Sequence, residues 1–131
     1  MISKRLTIIF LSSLLLIYAH AIEEVLTGFQ YNDSFVVFGA KYIGTTPEIF
    51  YWLFHIAFWV SLPTLFFLLH KKRLGLPLIS VFGIIYFVEL HHVIKGVFAG
   101  HYYPGMITAL FYPVVGFFFW QELIRNWRIL K

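Results

Sequence analysis

The sequence predicts an all-α fold: a four-helix transmembrane bundle with both termini cytoplasmic. Three observations carry this expectation. The 131 residues are 60% hydrophobic and only 12% charged, and a soluble domain of that length has too little interior to hide so much apolar surface. Four stretches reach the roughly 20 apolar residues that a spanning helix needs. The cations are also segregated. Lys4 and Arg5 precede the first stretch, Lys71, Lys72 and Arg73 join the second to the third, and Arg125, Arg128 and Lys131 follow the fourth. Four crossings place all of these on one side, which the positive-inside rule makes the cytoplasm. Only Lys41 and Lys95 fall on the other side.

The expected elements follow in order within a single membrane domain, 1–131. The first span covers about 6–26. Its leading Met-Ile-Ser-Lys-Arg, its apolar run and Ala19–Ala21 also fit a cleaved secretory signal. Cleavage would leave three crossings and spoil the charge segregation, so the segment is taken as retained, and an intact amino terminus on the purified protein checks this. The outer connection 27–45 contains a short apolar stretch that cannot span and is expected to lie in the interface or dip between helices. The second span, 48–69, opens on Thr46, Pro47 and Glu48, which suit a cap, a first turn and the positive end of a helix dipole. The third covers 76–98. Tyr102–Gly105 punctuate the turn before the fourth, 105–124. Pro63 and Pro113 are expected to kink the second and fourth helices.

Composition narrows the chemistry. With no cysteine, thiol catalysis, disulfides and thiolate metal sites are excluded. The net charge of +4 follows from membrane orientation and calls for no nucleic-acid partner; the expected partners are membrane lipids and a lipid-like substrate.

The ionisable groups converge. On this topology His20, Glu23 and Glu24, then His55, then Glu89, His91 and His92, then His101 all fall near the outer end of the bundle, because a helix rises only about 1.5 Å per residue. His20, Glu23 and Glu24 share a helical face, as do Glu89 and His92. A charge at the centre of a spanning helix costs about 2.5–3.5 kcal/mol even on mild scales, so protonation, ion pairing, water or a metal must offset these groups. Imidazole and carboxylate without thiolate suit iron, manganese or zinc, and bundle proteins hold metal through Glu and Glu-x-x-His motifs. The expected ligands are His20, Glu23, Glu24, His55, Glu89 and His92, enough for two metals or for one with supporting groups. A purely structural polar network is the competing interpretation. His101 is expected to be solvated, His91 either to bond a neighbouring helix or to ligate, Lys95 to snorkel, and Gly96 with Gly100 to mark close helix contact.

His20–Glu24 (His-Ala-Ile-Glu-Glu), the segment ending at His55, and the block from Glu89 to Pro113 with its Tyr-Pro-Gly-x-x-Thr turn occur in that order. In these blocks the chain resembles the HXXEE family of small bacterial membrane proteins. The resemblance implies a multi-pass protein of a bacterial inner or plasma membrane. It also implies that Glu23, Glu24, His55, Glu89, His92, Tyr103, Pro104, Gly105 and Thr108 are family positions. It carries no established activity.

The expected function is therefore an integral membrane metalloenzyme with a mono- or di-metal site near the outer face. Iron or manganese would suit oxidation of a lipid-like or small substrate, and zinc its hydrolysis. Glu23 or Glu24 would serve as general base, and Tyr103 or Thr108 would position substrate. The alternatives are a metal-independent acid/base lipid isomerase, which would use raised carboxyl pKa values, a haem or metal carrier using His55 with His91 or His92, and a small subunit of a larger membrane complex.

Overall fold

A computed structural model of the chain describes residues 2–69 and 74–129. Its elements are α1 (Lys4–Thr27), α2 (Phe29–Asn32), α3 (Ser34–Ile43), α4 (Pro47–Leu69), α5 (Gly75–Phe82), α6 (Ile85–Val88), α7 (Leu90–Ala99), α8 (Met106–Ala109) and α9 (Tyr112–Ile129), with no strand among the described residues. Four helical stretches are long and apolar enough to cross a membrane: Lys4–Thr27, Pro47–Leu68, Gly75–Ala99 and Met106–Ile129. Lys71, Lys72, Arg73 and Lys131 of the charge argument lie outside the described residues.

Local chemistry sets the boundaries. Ser3 caps α1, its hydroxyl accepting from the Leu6 N–H at 3.1 Å. Gly28, with φ of 75°, ends α1 in the left-handed conformation that glycine adopts without strain. The third span is three helices in series, interrupted at Gly83–Ile84 and again at Glu89. The Trp120 indole N–H donates to the Gly83 carbonyl at 3.2 Å, supplying from outside the helix a partner for a carbonyl at the break. The fourth span is broken at Leu110–Phe111. Pro113, which lacks an N–H and disfavours helical geometry in the residue before it, follows directly and sits in the first turn of α9. Pro63, by contrast, lies inside an uninterrupted α4.

Lipid supplies no hydrophobic force between helices, so close packing has to hold them. A buried cluster of Leu6, Phe10, Ile17, Leu62, Ile79, Phe82, Phe119 and Leu123 joins the inner parts of α1, α4, α5 and α9. Gly116 lets α9 approach Tyr86, since a Cβ there would stand 2.8 Å from the tyrosine Cβ. Tyr86 in turn hydrogen-bonds Ser13 across to α1. The two ends of the chain meet: the Ser3 N–H donates to Asn126 Oδ1 at 2.7 Å and the Ser3 hydroxyl to Glu122 Oε1 at 2.9 Å. The start of α1 and the end of α9 therefore share one face of the bundle.

The outer connection is itself helical. Helix α2 packs against α1, α3 and α4, and α3 lies along α4. Asp33, at the corner between α2 and α3, is almost fully buried and caps α3 through the Phe35 and Val36 N–H groups at 2.9 and 3.2 Å. It also pairs with Lys95 and accepts from the Tyr103 hydroxyl at 2.9 Å. Lys95 thus anchors α7 to the corner rather than simply snorkelling. Burial pushes the Asp33 carboxyl up, but Lys95, Tyr103 and the Val36 N–H outweigh it and hold its pKa below the ordinary value. A lowered folded pKa adds stability that is complete above the ordinary aspartate value of about 3.9 and fades as pH falls below it. Asp33→Asn should cost about 1–3 kcal/mol, the range for a buried partner left unmatched. It should appear as a lower Tm at pH 7, with the gap to the native protein narrowing at pH 3.

Candidate metal centre

An i,i+4 pair and an i,i+3 pair meet at the end of the bundle opposite Ser3 and Asn126. Helix α1 presents His20 and Glu24 from successive turns. The third span presents Glu89, in the break between α6 and α7, and His92 one turn later. One ligand atom from each of these four residues lies within 4.8 Å of the other three. The His20 and His92 Nε2 atoms are 3.1 Å apart. Glu89 Oε2 stands 2.9 Å from His20 Nε2 and 3.3 Å from His92 Nε2. Glu24 Oε1 stands 3.7 Å and 3.2 Å from the same two nitrogens.

The outer hydrogen bonds fix the tautomers. His92 Nδ1 lies 2.5 Å from the Pro104 carbonyl oxygen, which only accepts, so Nδ1 carries the proton. His20 Nδ1 lies 2.6 Å from Thr108 Oγ1, and that hydroxyl lies 2.5 Å from Glu23 Oε2. A carboxylate accepts, so Thr108 donates to Glu23 and receives the His20 Nδ1 proton. In its neutral form each imidazole turns a bare Nε2 lone pair inward, toward the other ring's and two carboxylate oxygens. Four electron-pair donors packed this closely repel unless a proton or a metal cation lies between them. The spacing suits a metal. Bonds of about 2.0–2.2 Å give a tetrahedron edges of about 3.3–3.6 Å and cis octahedral positions about 2.8–3.1 Å apart; the separations of 2.9–3.3 Å fall within that span, while Glu24 Oε1 to His20 Nε2, at 3.7 Å, lies just beyond it.

The residues around the four act as supports. Glu24 Oε2 accepts from the Tyr51 hydroxyl at 2.8 Å and lies 3.2 Å from His55 Nε2. His55 Nδ1 faces the Tyr51 carbonyl at 3.0 Å. His55 thus reaches the group through Glu24, not directly. Glu23 stands apart from it. Its carboxylate accepts from the Ile107 and Thr108 N–H groups at 2.9 and 2.8 Å, from the Thr108 hydroxyl and from the Tyr102 hydroxyl at 2.6 Å. Of the expected ligands, Glu23 lies outside the group of four: at i+3 from His20 it points to the edge of the ligand face and holds the start of α8. Thr108 positions His20, whereas Tyr103 is engaged with Asp33 and Lys95. Burial and the Asp33 carboxylate push the Tyr103 phenol pKa up. His91 faces the Val88 carbonyl through Nδ1 at 2.9 Å, with Nε2 3.9 Å from Asp33 Oδ2. His101 is exposed beside the Tyr102 carbonyl.

Three further contributors shape the group: Phe29, which no motif marked, and Gly105 and Pro104, which the sequence placed in the turn before the fourth span without a role at the histidines. Phe29, turned back by Gly28, covers the group, its ring centroid 4.9 Å from that of His92. Gly105, with φ of 84°, lets the turn before α8 pass so close that a Cβ would lie 2.6 Å from His92 Nδ1 and 2.8 Å from His20 Cε1. The Pro104 carbonyl sets the His92 tautomer, a role no side-chain motif announces. Gly100, paired with Gly96 in the expected helix contact, instead ends α7 with φ of 68°.

Because Glu23 holds Thr108, which holds His20, Glu23→Gln should weaken metal binding about 10–100-fold without abolishing it, the usual cost of losing a supporting partner. Chelator competition on the purified protein measures this.

No protein-family model, curated protein or solved structure matches the chain.

Proposed function

We propose that this is an integral membrane metalloenzyme that holds one metal ion through His20, Glu24, Glu89 and His92 and acts on a lipid-like substrate. The observation that carries the proposal is the pair of inward-facing Nε2 atoms, 3.1 Å apart and flanked by two carboxylates. One compact group of four ligand atoms favours a single metal over a pair. Zinc, iron or manganese would suit these donors; bound here, zinc would support hydrolysis and iron or manganese oxidation. The resemblance to the HXXEE family extends the proposal, since Glu24, Glu89 and His92 are among the positions carrying it. With the arginine-bearing end of the bundle in the cytoplasm, the site lies toward the outer leaflet.

The protein's own groups divide the work. His20 and His92 are held by Thr108 and Pro104 and supply fixed donors. Glu24 is pinned by Tyr51 and stands against His55. Glu89 has the most accessible side chain of the four, at 17%, and lines the neighbouring cleft, so it is the carboxylate best placed to take a proton from a substrate. Phe29, buried against His92, shields that ring from bulk water.

The experiment is incubation of the purified protein, in air, with a lipid extract of its host membrane, followed by mass spectrometry. Conversion of one lipid class, lost on chelation and restored by a single metal, is the expected result. Conversion that survives chelation assigns the acid/base isomerase instead, with the four close donors sharing protons. No conversion by metal-loaded protein removes the enzymatic proposal.

A further inference from the structure

A cleft of about 1070 Å³ runs between α4 and the third span. Helix α4 packs on α2 and α3 at its outer end and on α5 at its inner end, and between these contacts the cleft separates it from α6 and α7. The polar lining gathers at the outer end, where His20, Glu24, His55 and Glu89 stand; below them the walls are mainly apolar, with Phe58, Leu62, Leu65 and Ile85 among the lining. From His55 to Leu65 is ten residues of α4, about 15 Å at the helical rise, or half of a hydrocarbon core about 30 Å thick. The apolar part is thus as deep as one leaflet.

Two groups lining this cleft are unaccounted for, the Trp59 indole N–H and the Tyr112 hydroxyl, and the second stands beside the metal group. Tyr112 is buried, 1% exposed, yet its hydroxyl has no hydrogen-bond partner among the described residues. It lines the cleft, and its ring centroid is 5.3 Å from that of His20. A buried phenol left without a partner costs about 1–3 kcal/mol, a cost that a ligand oxygen would remove.

We propose, building on the metal-centre assignment, that the cleft binds a single long acyl chain from the outer leaflet, with its carbonyl or carboxyl oxygen hydrogen-bonded to Tyr112 beside the metal group. Carboxyl chemistry fits both ends of this arrangement: the oxygen accepts from the phenol, and the chain fills the apolar walls. Tyr112 then sets which carbon of the chain faces Glu89.

The test uses palmitate carrying a mid-chain diazirine, photo-crosslinked to the full-length protein in lipid nanodiscs and mapped by mass spectrometry. Labelling should concentrate on residues 57–65 and 78–88 and be competed by palmitate but not by octanoate. Ala57→Trp, a substitution at an exposed position lining the cleft, should cut it about tenfold while leaving metal content unchanged; Ser61→Trp serves if that variant does not fold. Tyr112→Phe should weaken palmitate competition about 5–10-fold, the loss of roughly one hydrogen bond. Labelling spread over the lipid-facing surface, or unmoved by both tryptophan variants, overturns the proposal. Cleft labelling in a protein that holds no metal supports the acyl site while removing the metal centre, so the two failures are distinguishable.

Discussion

Glu24→Gln combined with Glu89→Gln is expected to strip the protein of metal. Glutamine keeps the size and shape of each side chain, so packing around Tyr51 and His55 should survive. What disappears is both negative charges and with them the two carboxylate donors among the four ligands. Two imidazoles remain, and a site reduced from four donors to two neutral ones falls short of the three protein ligands that even open catalytic sites keep. Occupancy below about one tenth of the native value is the expected outcome, because metal affinity depends on deprotonated, charged donors. The contrast with Glu23→Gln matters. Glu23 lies next to Glu24 in sequence but spends its carboxylate on Ile107, Thr108 and Tyr102, so its loss should weaken binding without abolishing it. Native occupancy in the Glu24/Glu89 variant would show that the assigned ligands are wrong.

Gly105→Ala is expected to be nearly as damaging, although residue 105 carries no functional group. Its φ of 84° is a left-handed conformation that costs a residue with a Cβ roughly 1–2 kcal/mol. The new methyl would also stand 2.6 Å from His92 Nδ1 and 2.8 Å from His20 Cε1, so either the turn or both rings must move. Movement of the turn takes away the Pro104 carbonyl that His92 bonds and the start of α8 that Glu23 holds. Both effects act on the two histidines together. Metal content should fall by at least about tenfold and Tm by several degrees, since strain and lost packing of this kind cost about 2–4 kcal/mol in total. A variant with native Tm and native metal content would mean that the turn does not press on the centre.

The spans were legible because bilayer thickness imposes a length and a composition that few other structures share. His20, Glu24, Glu89 and His92 were legible because helical periodicity puts i+3 and i+4 neighbours on one face and similar depths follow from the rise. Periodicity is coarser than the geometry that decides a ligand. Glu23 and Glu24 both fall on the stripe with His20, and only the position of α8, which arrives from 80 residues later in sequence, separates the capping carboxylate from the ligand. His55 likewise sits at the correct depth, but around it α4 stands away from α1, α6 and α7, so it reaches the group only through Glu24. Asp33, within the connection 27–45, belonged to no motif. Its role emerges only when α2 and α3 fold back and bring Lys95 and Tyr103 to it, and such long-range pairings leave no local pattern. The breaks at Gly83 and Glu89 were hidden for a related reason: the apolar run continues through them, and the Trp120 indole that bonds the Gly83 carbonyl comes from another span.

Elemental analysis of the detergent-purified, full-length protein tests the central claim most directly. The account predicts close to one equivalent of zinc, iron or manganese per chain, lost in the Glu24/Glu89 double variant and retained in Glu23→Gln at saturating metal. Protein that stays folded with no bound metal, and whose Tm is unmoved by adding any of the three, would contradict it.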